Sequence, residues 1–233
     1  MLVGRFLSIA ALAGFGALSG QTTEELEGRG FDWKPALRQS AMFLGIQHGF
    51  RLWTEPGTRE HLRGPFVKDY FHSARGVRGW GDGDPPIVNY VGHPMMGAVA
   101  GNIQVQNDPR GRTKTFSLSS GYWKSRMKAL AWSTAYSVQF ELGPASEASI
   151  GNVGFDRRSA GAVDLVVTPV LGLAWQTTED ALDRYVVAPV EGAIENRAVR
   201  LLARSMLNPS RAFANLLRGK VPWYRDYRAG LFR

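Results

Sequence analysis

Apolar and polar positions along this chain alternate with the period of helices rather than of strands. In "PALRQSAMFLGIQHGFRLW" (35–53) the apolar residues recur three and four apart, and Pro35 suits a first turn. "GPFVKDYFHSARG" (64–76) reads as a second helix, and the apolar segment 87–106 follows the loop "GWGDGDPP" (79–86). "SSGYWKSRMKALAWSTAYSVQFELG" (119–143) predicts a long helix, capped by Ser119 or Ser120 and stopped at Gly143-Pro144. Met127, Leu130, Thr134, Val138 and Glu141 fall near one of its faces. Residues 163–187 predict another long helix, apolar first and charged later, and helices follow over 195–207 and 208–219, the last with Asn208 as cap and Pro209 at its first position. Residues 107–115 and 144–162 read as loops. No stretch alternates strongly enough for a barrel. The expected fold is mainly α: a packed domain of kinked, glycine-containing helices, partly embedded in a membrane or associated with one.

The first twenty residues carry a short positive start at Arg5, then an apolar stretch rich in small residues and a small-x-small site at Ala17-Leu18-Ser19. This is the pattern of an export signal. It gives the organisation 1–20 signal peptide, 21–34 flexible segment, 35–194 helical core, and 195–233 basic C-terminal helices and tail. The longest apolar run after the signal, "VDLVVTPVLGLAW", has thirteen residues, short of the roughly 20 needed for a span. Cysteine is absent, which excludes disulfides, thiolate metal sites and a cysteine nucleophile. Net charge is +8, with an excess at the C-terminus: Arg197, Arg200, Arg204, Arg211, Arg218, Lys220, Arg225, Arg228 and Arg233 face only Asp226 between 197 and 233. For an exported protein the expected partner of that charge is an anionic lipid surface rather than nucleic acid.

Two segments resemble each other. "NYVGHPMMG" (89–97) and "DLVVTPVLG" (164–172) each run polar-x-x-x-polar-Pro-x-x-Gly. Residues four apart share a helix face, so Asn89 pairs with His93 and Asp164 with Thr168. Pro94 and Pro169 remove backbone donors and start or kink a helix, while Gly97 and Gly172 allow close approach of another backbone. The pair predicts two kinked helices packed together around one polar cluster.

In order along the chain come "NYVGHPMMGA", Glu141 at the end of an aromatic-rich helix, the serine-containing turn "SEASIGN", and "DLVVTPVLG". Taken together they resemble the bacterial envelope proteins known as domain of unknown function 3943. The likeness covers about residues 80–190 and carries over Asn89, His93, Pro94, Gly97, Glu141, Asp164, Thr168 and Pro169. It implies an exported, membrane-associated helical protein and no established activity. This chain departs from the family's simplest pattern by an extra "GNVGFDRR" stretch before Asp164, so Glu141 and Glu147 compete for the glutamate role.

The candidate constellation is therefore Asn89, His93, Glu141, Glu147, Asn152, Asp164 and Thr168. His93 beside Glu141 or Asp164 has the makings of a general base, and an imidazole with two carboxylates is a donor set for a divalent metal. The chain has no HExxH, GxSxG, P-loop or nucleotide glycine fingerprint, and no cofactor or metal is expected. The favoured expectation is an interhelical hydrogen-bond network. The protein is then a structural or lipid-binding component of the cell envelope, located in the periplasm or outer membrane. The alternative is a lipid-modifying hydrolase or transferase using His93 with an acidic partner. His48, His61 and His72 have weaker claims, and Asp82 and Asp84 in "GDGD" fit a plain turn.

Overall fold

The computed structural model describes residues 30–54, 56–62, 65–77, 79–81, 84–150 and 162–228. Among them every regular element is helical. In chain order these are α1 (Trp33–Thr54), α2 (Pro56–His61), α3 (Phe66–Gly76), a π-turn (Val88–Gly92) leading into α4 (His93–Asn107), α5 (Ser120–Leu142), a 3-10 turn (Ala148–Ile150), α6 (Val163–Leu182), a second π-turn (Asp183–Val187), α7 (Ala188–Ala193), α8 (Arg197–Met206) and α9 (Pro209–Leu217). None is long and apolar enough to cross a membrane.

The centre of the fold is α4, which packs against α6, α5, α9 and α1. Thirteen of its residues, from His93 through Asn107, are buried. Its last turns, "GNIQVQN", are half polar, and burial therefore requires partners. Gln176 Nε2 on α6 donates to Asn102 Oδ1, Gln106 Nε2 donates to Asn215 Oδ1 on α9, and Asn107 Nδ2 donates to Gln39 Oε1 on α1. The helix thus holds α6, α9 and α1 by amide bridges. The apolar cluster joins Ala36 and Phe43 of α1, Val99 and Ile103 of α4, Tyr136 and Phe140 of α5, and Ala214 and Leu217 of α9.

The α4–α6 pair makes the closest approach. A Cβ on Gly97 would lie 1.8 Å from the Thr168 carbonyl oxygen, and one on Gly172 would lie 2.8 Å from the Gly97 Cα. Only hydrogen fits at either point. The two matched motifs thus cross at their glycines. Pro94 is accommodated by a π-turn before it, in which the His93 amide donates to the Val88 carbonyl. Pro169 lies inside α6, where it removes one backbone donor.

Several boundaries differ from the sequence reading. α1 begins at Trp33, the Asp32 amide donates to the Asn107 carbonyl, and Phe31 packs on the core. Residues 30–34 therefore belong to the domain rather than to a flexible leader; the rest of that leader and the signal segment lie outside the described residues. The division at 194/195 also dissolves, because Phe213, Ala214 and Leu217 share the apolar cluster with α1, α4 and α5. On α5, Ser119 accepts from the Tyr122 amide as expected of a cap. Its buried face, however, is turned away from the Met127–Val138 stripe and shares only Glu141 with that set. Ser125, Arg126, Ala129, Ser133, Ser137 and Glu141 are buried, while Met127 and Val138 are 51% and 47% exposed. Ala129, Ser133 and Ser137 allow close approach of neighbouring helices, and Tyr136 and Phe140, also buried, join the apolar cluster.

Adding a methyl group at the crossing has a direct consequence. Gly97→Ala is expected to cost about 3 kcal/mol in denaturant unfolding, at the upper end for overpacking. Gly45→Ala, on an exposed turn of α1 with nothing within 4 Å of the added atom, is expected to stabilise by roughly 0.5–1 kcal/mol.

Candidate functional site

The first turns of α4 and α6 and the last turn of α5 converge on one buried cluster. His93 Nδ1 lies 3.2 Å from Thr168 Oγ1 and His93 Nε2 lies 3.4 Å from Asp164 Oδ2. Glu141 reaches the same point: one ligand atom from each of His93, Glu141 and Asp164 falls within 4.8 Å of the other two. Ser137 Oγ donates to the Asp164 carbonyl and ties α5 to the start of α6. Exposures of 3% for His93, 4% for Glu141 and 8% for Asp164 close the cluster off from bulk water. Asn89 is buried on the π-turn one helical turn before His93. The structure thus brings together His93, Asp164 and Thr168 of the paired motifs, with Glu141 from the wider candidate constellation.

Glu147 takes a different place. Its carboxylate meets His48 Nδ1 at 3.3 Å and Arg51 at 3.1 Å, and His48 stacks on Phe140 with ring centres 5.1 Å apart. Glu147 and Glu141 therefore do not compete: one anchors α1 to the loop after α5, and the other joins His93. The sequence reading gave His48 too little weight, although its spacing from Arg51 puts both on one face of α1. Asn152 and the "GNVGFDRR" stretch lie outside the described residues. His72 is exposed on α3, and His61 closes α2.

A second buried polar centre was not anticipated. It gathers the acids at the end of α6 and the arginines of the C-terminal segment. Arg126 Nε donates to Asp180 Oδ2 at 2.6 Å, Tyr122 donates to the same oxygen at 2.7 Å, and Arg211 pairs with Asp180 Oδ1. Asp183 is met by Arg225 at 2.9 Å, by Arg228 and by the Tyr227 hydroxyl. Arg204 pairs with Glu191, and Arg218 with Asp226. Glu179 accepts from the amides of Ser210 and Arg211, at 2.9 and 3.2 Å. It therefore caps α9, a role the sequence suggested for Asn208, whose side chain makes no capping bond. A carboxylate outcompetes an amide there because the helix N-terminus favours negative charge.

The basic tail is accordingly no free charged arm. Arg204, Arg211, Arg218, Arg225 and Arg228 are spent on internal acids. Two signals in the sequence pointed this way. Glu179, Asp180 and Asp183 stand together in one helix, and an arginine recurs every seven residues from Arg197 to Arg225, a regularity that a solvated charge tail does not need.

The chain matches no family model, no curated protein and no solved structure. The family resemblance stated above rests on its motifs alone.

The acid network fixes a pH dependence. Burial pushes the Asp183 carboxyl up, but Arg211, Arg225 and Arg228 outweigh burial and hold it below its ordinary value. Its contribution is therefore fully present above the unfolded value of about 3.9 and is lost as pH falls through the lower folded value. Burial raises Glu179, so that group contributes with the opposite sign. The difference between wild type and Asp183→Asn isolates the first effect. The variant is expected to lose about 3–5 kcal/mol at neutral pH, as for a broken buried ion pair. The gap should close below about pH 4 in urea unfolding measured across pH.

Proposed function

We propose that this is an exported, membrane-associated protein of the cell envelope that lies against lipid and binds it, with a structural rather than a catalytic polar core. The observation that carries the reading is the direction in which its helices face. On α5 Ser125, Ser133, Ser137, Arg126 and Glu141 point inward beside Tyr122, Tyr136 and Phe140, and Trp123, Met127 and Val138 point outward. On α6 Asp164, Thr168, Gln176 and Glu179 are buried, while Val166, Val170 and Leu171 are 45%, 53% and 38% exposed. On α1 the exposed residues include Met42, Ile46, Phe50 and Trp53. Scattered apolar residues are ordinary on a protein surface. Several helices with polar residues inside and large apolar residues outside match an apolar surrounding instead.

Two further features support lipid. An apolar groove of ≈ 460 Å³ runs between α6 and the α8–α9 corner, lined by Tyr90, Leu171, Trp175, Leu182 and Met206 among others. That volume lies within the range of small-ligand sites. α8 is strongly amphipathic: Val199, Leu202 and Met206 are exposed on the helix that also carries Arg197 and Arg200. This is the build of a helix that lies in the interface plane. The exported location rests on the signal pattern and on the family resemblance.

Burial of His93 favours the structural role over the alternative of a lipid-modifying hydrolase or transferase, because a general base must reach a substrate proton.

The test is flotation of the purified full chain with vesicles of neutral phosphatidylcholine and of phosphatidylcholine mixed with anionic phosphatidylglycerol. Because most tail arginines are paired internally, binding to both vesicle types is expected, with only a small loss at 0.5 M salt, roughly. Leu202→Asp with Met206→Asp is expected to weaken flotation about tenfold or more, since each buries a charge where an apolar side chain met lipid. A chain that stays at the bottom of the gradient with both compositions contradicts the proposal.

A further inference from the structure

We infer that the His93–Glu141–Asp164 cluster is a divalent-cation site, built to hold one first-row ion such as Zn2+ or Mn2+ between three helices. Each ligand comes from a different helix: His93 from the start of α4, Glu141 from the last turn of α5, Asp164 from the first turn of α6. Their ligand atoms fall within 4.8 Å of one another and all three residues are buried. Surface acids gather without a metal, but a buried imidazole meeting two buried carboxylates costs desolvation that a dication offsets. The donors are nitrogen and oxygen with no thiolate, which suits Zn2+, Mn2+ or Fe2+ and disfavours Cu+.

The distances favour an ion over a direct bond. His93 Nε2 lies 3.4 Å from Asp164 Oδ2, well beyond the roughly 2.7–2.9 Å of a charge-assisted hydrogen bond. Metal–ligand bonds of about 2.0–2.1 Å meeting at the tetrahedral angle put two ligand atoms about 3.4 Å apart. The imidazole is also oriented for the task. Nδ1 lies 3.2 Å from Thr168 Oγ1; in the tautomer with the proton on Nδ1, the N–H donates to the hydroxyl and the Nε2 lone pair is left facing Asp164. A neighbour that fixes tautomer and ring angle in this way is the usual support of a metal-bound histidine. The motif thereby acquires a reason for both of its polar positions: Asp164 binds, and Thr168, one turn on, aims the ligand from the facing helix. Asp164 is the most exposed of the three and marks the side from which an ion enters. The inference departs from the sequence expectation of no metal, and it does not depend on the lipid reading.

The test uses the full chain, stripped with chelator and dialysed, then titrated with ZnCl2 and with MnCl2 while binding and thermal unfolding are followed. One ion per chain is expected. At about a hundredfold excess over Kd the melting temperature should rise by about 5–10 °C. Thr168→Val should weaken binding roughly 10- to 100-fold while keeping most of the stripped protein's stability. Asp164→Asn should abolish the rise. Asp180→Asn, in the other acid cluster, should lower the melting temperature yet keep the ion-induced rise. A stripped wild-type chain whose melting temperature responds to neither ion overturns the proposal. So does a full response in Asp164→Asn, which would put the ion elsewhere. If Asp164→Asn does not fold, the affinity of Thr168→Val decides: binding as tight as wild type overturns the site.

Discussion

The close crossing of α4 and α6 sets the terms for the rest of this fold. Gly97 and Gly172 bring two backbones into direct contact, with the Thr168 carbonyl 1.8 Å from where a Cβ on Gly97 would stand. At that spacing no large side chain fits between the helices. What fits is a compact polar set at the helix starts, and it must satisfy itself because water has no room. His93, Thr168 and Asp164 are that set, and Glu141 completes it from α5. The crossing and the cluster are therefore one feature seen at two heights along the helix pair.

The same economy extends through the molecule. α4 is enclosed by α1, α5, α6 and α9, and three of the buried amides along its second half, Asn102, Gln106 and Asn107, are bridged to residues on α6, α9 and α1. At the end of α6 and the start of the π-turn after it, Asp180 and Asp183 draw in arginines from α5, α9 and the C-terminal segment. Buried ion pairs of this kind add little net stability over an apolar core, but breaking one is expensive. They fix which helix sits where. Phe43, Tyr136 and Phe140 turn into the apolar cluster, while Met42, Ile46 and Phe50 of α1, Met127 and Val138 of α5, and Val166 and Val170 of α6 stay on the outside. The proposed lipid contact rests on this distribution.

How much of this was legible beforehand depended on which signal was local. Helix positions and the Ser119 cap follow from period and capping chemistry within one segment. The pairing of "NYVGHPMMG" with "DLVVTPVLG" was legible because a Gly-and-Pro motif constrains its own surroundings, and it located His93, Thr168 and Asp164 correctly in space. The buried face of α5 was not legible. Hydrophobic periodicity identifies a stripe but not its direction: the buried side of α5 mixes Ser133 and Ser137 with Tyr122, Arg126, Tyr136 and Phe140, while Met127 and Val138 turn outward. Glu147 was misplaced for another reason: its partners His48 and Arg51 lie about a hundred residues upstream, and spacing cannot show a contact at that range. The tail arginines looked like a free basic arm for the same reason, since Asp180 and Asp183 belong to a different helix.

The central claim is that outward apolar positions face lipid while inward polar positions face protein. The chain has no cysteine, so single cysteines carrying a nitroxide label can report each position without background. Vesicle-bound full chain would be labelled at the outward Met127, Val138, Val166 and Val170 and at the inward Ser133, and spin relaxation by oxygen compared with that by a water-soluble nickel complex. The account predicts that the outward labels respond to oxygen and little to nickel, as labels in lipid do, and that the inward label responds weakly to both. Outward labels relaxed by nickel as strongly in vesicles as in buffer would contradict it.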